Sequence, residues 1–432
     1  MLKFKKVKAR YSEKKNTRTD RDVISYEDIP LDDYELEKTE ISPEAIKRIL
    51  IGVGIAIVAG LIVFAFSNRD KLTWDNISTW WTYEVLGNTG NGFPVNIVGS
   101  EVTASNIAVT QGRVAYASDT SFVTLNSTGS EVANIQLRYS NPVMKASGNK
   151  YLTYGLGGTE FQIYSFDEKL YAGEESENIF TGDIASNGVY CIVTEGNGYL
   201  SSLYVYNKNN NRIFKYSFSE YYITSVALNS DGSCGVACGI TSEGGAVKTA
   251  VYILDFSKEE PKSIYTINGD SVIDCEYLGD NRVALIGQSA SYIIKNGDEN
   301  FVTNSYEDRT LANYCFNTDT QTYTIALSRS GDGRSCALLQ YNNNGDNKCS
   351  IDTEYSAESI SSYKGVIGVL DDNIVYVYNI NGTLRKACRT GTGSKKLILT
   401  GENEVCILSA NQIRRFDLNN ASTDDTVIIQ EN

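Results

Sequence analysis

Histidine is absent from all 432 residues, so the chain lacks the side chain that most often serves as a general base or metal ligand near neutral pH. Ser-His-Asp and Cys-His catalysis and histidine-ligated zinc are thereby excluded. Any enzyme here would have to use carboxylates, Tyr, Lys, Ser or Cys. Proline and methionine are scarce, 5 and 2 residues, against 29 Tyr and 36 Gly. That balance suits many short strands joined by tight turns better than a helical bundle. No Cys precedes Cys191, and the nine counted from it onward are an odd number, so at least one stays unpaired or pairs between chains. No C-x-x-C pair exists, which removes a zinc knuckle and a thioredoxin-like motif. Cys234 and Cys238 lie four residues apart on one predicted strand, about 13 Å, too far to bond. Cys336 and Cys349 flank the turn YNNNGDNK. They are the candidate disulfide, facing each other across a hairpin, and the other cysteines read as small buried hydrophobes.

Charge is missing altogether from Ile49 to Phe66, ILIGVGIAIVAGLIVFAF. At about 1.5 Å per residue this run reaches roughly 27 Å as a helix, close to the hydrocarbon thickness of a bilayer. A core helix would show a polar face, and a signal peptide rarely follows a charged leader of this length. A transmembrane helix over 49–66 is the expectation. Lys3, Lys5, Lys6, Lys8 and Arg10 crowd the N-terminus, and Lys47 and Arg48 abut the span, whereas only Arg69 and Lys71 follow it closely. By the positive-inside bias, residues 1–48 form a cytoplasmic tail without a buried face, lying on anionic lipid or binding a partner. The acidic stretch over 20–44 counts for little in that bias. Residues 67–91 carry the only three Trp, and Trp74, Trp80 and Trp81 suit an amphipathic collar in the head-group region, the alternative being a helix packed under the outer domain. Within the span, Gly52, Ala56 and Gly60 recur every fourth residue, which would allow close contact in a homodimer, although small residues are common in membrane helices.

Beyond the apolar run the chain holds about 27 basic and 42 acidic residues. An acidic domain repels nucleic acid and anionic polymers, so no nucleic-acid partner is expected. Its sequence repeats. TLNSTG at Asn126, YSFDEK at Asp167, VYNKNN at Asn207, LDFSKE at Asp255, KNGDEN at Asn296, QYNNNG at Asn342, VYNING at Asn379 and RFDLNN at Asp417 recur at intervals averaging about 42 residues. Each unit divides into about four β-branched or aromatic runs broken by Asn, Asp and Gly, as in ISSYKG, VIGVL, NIVYVYN and TLRKACR. The expected fold is all-β: a propeller over 92–432 with eight four-stranded blades, or seven if one unit is irregular. In the last unit KKLILTG, EVCILSA, QIRRFDL and TVIIQ are the strand candidates, and GFPVNIVG reads as an extra strand that helps close the ring. A sandwich would not repeat so regularly, and β-helix coils are shorter.

Hairpins such as Val377 to Gly382 and, more loosely, Thr124 to Gly129 resemble the repeats of quinoprotein-like propellers. With the basic tail, single span, Trp segment and GFPVNI strand, the chain resembles an uncharacterised family of membrane-anchored propeller proteins from Gram-positive bacteria. The resemblance implies fold and location more than activity. Quinone-dependent members place Trp through the blades and ligate calcium; here no Trp lies beyond Trp81, so no cofactor is expected. Turns such as NSDGS and NNNGDN lack the ligand ladder of a calcium loop, and GNTGNG and GTGSKK lack the context of a phosphate loop.

Three functional classes remain. The first is a membrane-tethered binding or scaffold propeller of the cell envelope, with a protein or glycan partner and no catalytic residue. The second is a carboxylate-based glycan-acting enzyme, for which the sequence singles out no pair and offers no S-x-D-x-G-x-T-W box. The third is a single-pass sensor coupling an outer ligand to the tail.

Overall fold

The computed structural model describes residues 43–67, 92–329 and 334–419. Two separate units result: a helix and a β domain. The helix, α1 (Pro43–Ser67), opens with Pro at the position where a missing N–H costs nothing. It extends past the uncharged run, and the stretch Lys47–Phe64, with mean hydropathy 2.2, is long and apolar enough to cross a membrane. Gly52, Ala56 and Gly60 are exposed on it, with open space where a Cβ would stand on either glycine. Trp74, Trp80 and Trp81 lie outside the described residues.

The β domain is an eight-bladed propeller of four-stranded antiparallel sheets. Seven blades are continuous in sequence, over 107–136, 142–174, 179–218, 222–268, 272–305, 310–353 and 359–389. The eighth takes three strands from 394–417 and its outermost strand from the entry segment, where Val95 pairs with Ile413 and Asn96 with Gln412. Eight blades are therefore present, not seven. The sequence expectation that GFPVNIVG closes the ring holds, and it supplies the strand position assigned to TVIIQ, a segment outside the described residues. Closure is reinforced from the neighbouring blade. Arg415 donates to the carbonyls of Gly112 at 2.9 Å and Ser127 at 3.1 Å while its Nε donates to Glu404 at 2.9 Å.

Blades stack face to face, so the second strand of each is apolar on both sides. Arg113–Ala117 and Val366–Asp371 are buried almost throughout. The outer strands alternate, as in Ser263–Asn268. One hydrophobic cluster fills every interface around the ring. Val193, Leu203 and Val205 meet Leu228 and Tyr252 between blades 3 and 4, and Val114 and Val123 meet Ile407's neighbours Cys406 and Leu408 between blades 1 and 8. In the first seven blades the recurring Asn or Asp marks the turn between third and fourth strands, and Asp417 ends the third strand of the eighth. Asn126 Oδ1 accepts from the N–H groups of Thr128 and Ser130 at 3.1 and 2.8 Å, and Asn342 repeats the pattern with Asn344 and Asp346 at 2.9 Å each. Gly129 and Gly345 then adopt φ of +75° and +84°, which their missing Cβ permits. The chain enters the propeller on this face, where the Gly92 N–H donates to Thr128 at 3.0 Å.

The proposed Cys336–Cys349 disulfide is not formed. Register places Cys336 opposite Thr353 and Cys349 opposite Gln340. That offset of four residues is about 13 Å along the strand, beyond disulfide reach. Both thiols are free and buried against the seventh blade.

Candidate functional site

The innermost strand of each blade lines the axial opening. In five blades it carries a register shift, bracketed by Ile179/Thr181, Ile223/Ser225, Val272/Asp274, Leu311/Asn313 and Ser394/Lys396. A bulge bends the strand and re-aims the side chain that follows. Here Thr181, Ser225, Asp274, Asn313 and Lys396 follow it, so a polar residue recurs at one level around the axis. The bulged residues Thr224, Ile273 and Ala312 are exposed although their strands are innermost, so the mouth of the opening is accessible.

Charge gathers on one side of this ring. Lys145 comes from blade 2, Asp183 from blade 3, and Asp274 and Glu276 from blade 5, where their i, i+2 spacing puts both on one face of the strand. Blade 4 contributes Ser225, whose hydroxyl donates to Asp274 Oδ1 at 3.2 Å, and blade 6 contributes Tyr314, which donates to Asp274 Oδ2 at 3.0 Å. Asp183 Oδ2 accepts from the Leu228 N–H at 2.8 Å, and Glu276 Oε1 from the Tyr277 N–H at 3.1 Å. Among the described residues, Lys145 closes no direct ion pair with any of the three carboxyl groups.

One ammonium faces three acids, and the protonation states follow. Burial opposes the charge on Lys145, but Asp274 and Asp183 outweigh it and hold the ammonium above the ordinary lysine range. Burial, then repulsion by Asp183 and Asp274, pushes the Glu276 carboxyl up to about 8. Burial also raises Asp183, against the pull of Lys145 and the Leu228 N–H. At neutral pH the cluster therefore combines a charged lysine with a protonated Glu276. Burial raises Tyr314, with Asp274 adding to it, so the phenol stays a donor. No group of three acidic or thiol ligands converges tightly enough for a metal ion among the described residues. Cys275, 3.2 Å from Ser225 Oγ, is pushed well up by burial and is not a nucleophile.

The far side of the ring is tied up structurally. Asn313 Nδ2 donates to the Glu358 carbonyl at 2.7 Å and Asn317 Nδ2 to that of Ser362 at 2.8 Å. A second buried acid, Asp270, is also structural. It accepts from the N–H groups of Ser271, Gln288, Ser289 and Ala290 and from the Tyr292 hydroxyl, at 2.9 to 3.2 Å, and so pins the crossover between blades 4 and 5.

None of the residues of the axial cluster stood out in the sequence. The one local signal was Asp274 and Glu276 inside the apolar run SVIDCEYLG, alternating charges where a strand should bury both faces. Lys145 and Asp183 lie 129 and 91 residues before Asp274 and 38 residues apart from each other, so only the ring brings them together.

The model of a family of unknown function, DUF5711, matches residues 95–418, from the closing strand to the end of the last blade. Comparison with curated proteins finds no match. The chain belongs to the DUF5711 family.

Proposed function

We propose that this DUF5711 propeller is a binding or scaffold module of the cell envelope, tethered by α1 with the N-terminus cytoplasmic and the propeller outside. The observation that carries this reading is the axial cluster. Lys145, Asp183, Asp274 and Glu276 converge from three blades without a direct ion pair to the lysine. All four side chains are half-buried, and a separated set of charges at such a depth is satisfied by a polar ligand or water between the partners. The rigid ring keeps that separation fixed, which favours recognition by complementarity. The partner is an envelope glycan or protein with polar groups of both signs.

One observation favours catalysis as a second reading. Glu276 stays protonated to about pH 8, and a raised carboxylic acid two residues from a second carboxyl group on the same strand face suits the general acid of a glycosidase. The experiment that tests the proposal incubates the full chain with envelope saccharides and peptides, following binding and products together. Retention of a component unchanged supports a binding module. Turnover that disappears in Glu276→Gln and in Asp274→Asn would replace it with the enzyme reading.

A further inference from the structure

The propeller has a second feature that the axial cluster does not use. On the face opposite the Asn turns, the hairpins between second and third strands of blades 2 to 4, together with the start of the innermost strand of blade 4, leave large apolar side chains in solvent. Leu156, Tyr199, Tyr222 and Val247 are 49%, 50%, 52% and 43% exposed. Hydrogen bonds make their supports continuous. The tip after Leu156 bonds to the start of blade 3 through Gly157 N–H to Ile179 at 2.9 Å and Ile179 N–H to Gly158 at 2.7 Å. The Ile223 N–H donates to Ser201 Oγ at 3.0 Å and joins the elements that carry Tyr222 and Tyr199. Blade 4 adds a ledge. Its strands Cys234–Glu243 and Ala246–Asp255 are ten residues each against six in blade 3, and the hairpin passes the last pairing of the inner strand, Tyr222 with Ile240, by roughly 10 Å.

Charge on this arc is one-sided. Glu160, Glu174, Glu177, Glu195, Glu220 and Glu243 lie on the tips and crossovers that carry the apolar groups, against two bases there: Lys248, already paired with Glu243 at 2.9 Å, and Arg138 on the crossover into blade 2. The opposite ends of the same blades are balanced, where bases such as Lys150, Lys169, Lys208 and Arg212 offset the acids. An isolated exposed aromatic needs no explanation, but a series of exposed apolar side chains on three adjoining blades, among mostly acidic neighbours, does.

We infer that the arc over blades 2 to 4 is a docking surface for a basic, extended protein segment in which Lys or Arg alternates with apolar side chains. The carboxylates would meet its ammonium or guanidinium groups, and Tyr199 and Tyr222 would receive its apolar or cationic side chains. Nucleic acid and anionic glycans are repelled by the same field. The inference rests on the reading of the propeller as a binding module, but uses a different surface from the axial cluster.

The test uses the full chain in phosphatidylcholine nanodiscs, which offer no anionic lipid, and a fluorescent peptide of Lys-Tyr-Gly-Lys repeats with a Glu-Tyr-Gly-Glu control. Anisotropy is read at roughly 50 and 200 mM salt, since exposed charges are screened across that range. The lysine peptide is expected to bind at least about tenfold tighter than the control and to weaken at the higher salt. Glu195→Lys with Glu220→Lys should reduce its affinity by about tenfold or more, and Tyr199→Ser with Tyr222→Ser similarly but with the salt dependence kept. Glu259→Lys with Glu260→Lys, on the opposite face, should leave it unchanged, as should Lys145→Met in the axial cluster. Equal affinity for the two peptides, or no loss on reversing the arc, would overturn the assignment. So would loss in Lys145→Met, which would move the peptide to the axial cluster and leave the binding-module reading standing without this surface.

Discussion

At the scale of single residues, the axial cluster is defined by its imbalance. One lysine cannot neutralise three enclosed carboxyl groups, and Glu276 keeps its proton to about pH 8. An unfolded glutamic acid ionises near about 4.3. Because the folded value is the higher one, the stabilisation is complete below the unfolded value and is lost as pH rises through the folded one. Urea unfolding between about pH 5 and 9 should therefore show stability falling, by on the order of a few kcal/mol from this group. Glu276→Gln, neutral throughout, should flatten that fall, and an unchanged slope would remove Glu276 from the account. Asp270 behaves differently, since its value lies in the donors it collects. Asp270→Ala leaves the N–H groups of Gln288, Ser289 and Ala290 without their acceptor and should cost about 2 to 4 kcal/mol in the same measurement, with ligand binding at the axis retained.

At the scale of elements, strands and turns were legible in the sequence because their rules are local. Short β-branched or aromatic runs ended by Asn or Asp mark the third strand of each blade, and the turn chemistry at Asn126, Asn207 and Asn342 is that of a side chain accepting from its own backbone. The disulfide was misjudged for a reason of register. YNNNGDNK forms the expected turn, but the turn closes at Asn342 and Asp346, with a bulge beside Tyr341, which sets Cys349 opposite Gln340. The inner-strand bulges were invisible, since a single extra residue alters the ladder without altering composition. Closure of the ring depends on the entry strand and on one arginine that spans blades 8 and 1. Arg415→Ala strands the carbonyls of Gly112 and Ser127 and the Glu404 carboxylate, and should lower stability by about 2 to 4 kcal/mol in thermal or urea unfolding. A loss no larger than that of Arg385→Ala, whose contacts with Glu402 are on the surface, would show that the entry strand alone closes the ring.

At the scale of the whole molecule, the fold was readable from a repeat, and the site was not, because it is assembled from inner strands far apart in sequence. Lys145, Asp183 and Glu276 meet only when blades 2, 3 and 5 stand around one axis. The proposed topology, a span with the propeller outside, is open to a labelling experiment. The nine native thiols are mostly buried, so an impermeant maleimide on intact cells should modify Ser230→Cys, on an exposed turn, and reach Ser12→Cys only after permeabilisation. The reverse pattern would invert the orientation. The central claim, that the axial cluster receives a polar ligand, is tested most directly by one comparison. Affinities of the wild-type chain and of Lys145→Met are measured over one panel of envelope saccharides and peptides. The account predicts at least one component held by the wild type and weakened about tenfold or more by the substitution, as expected when a buried charge loses its partner. A panel in which every bound component is held equally well by both proteins would contradict it.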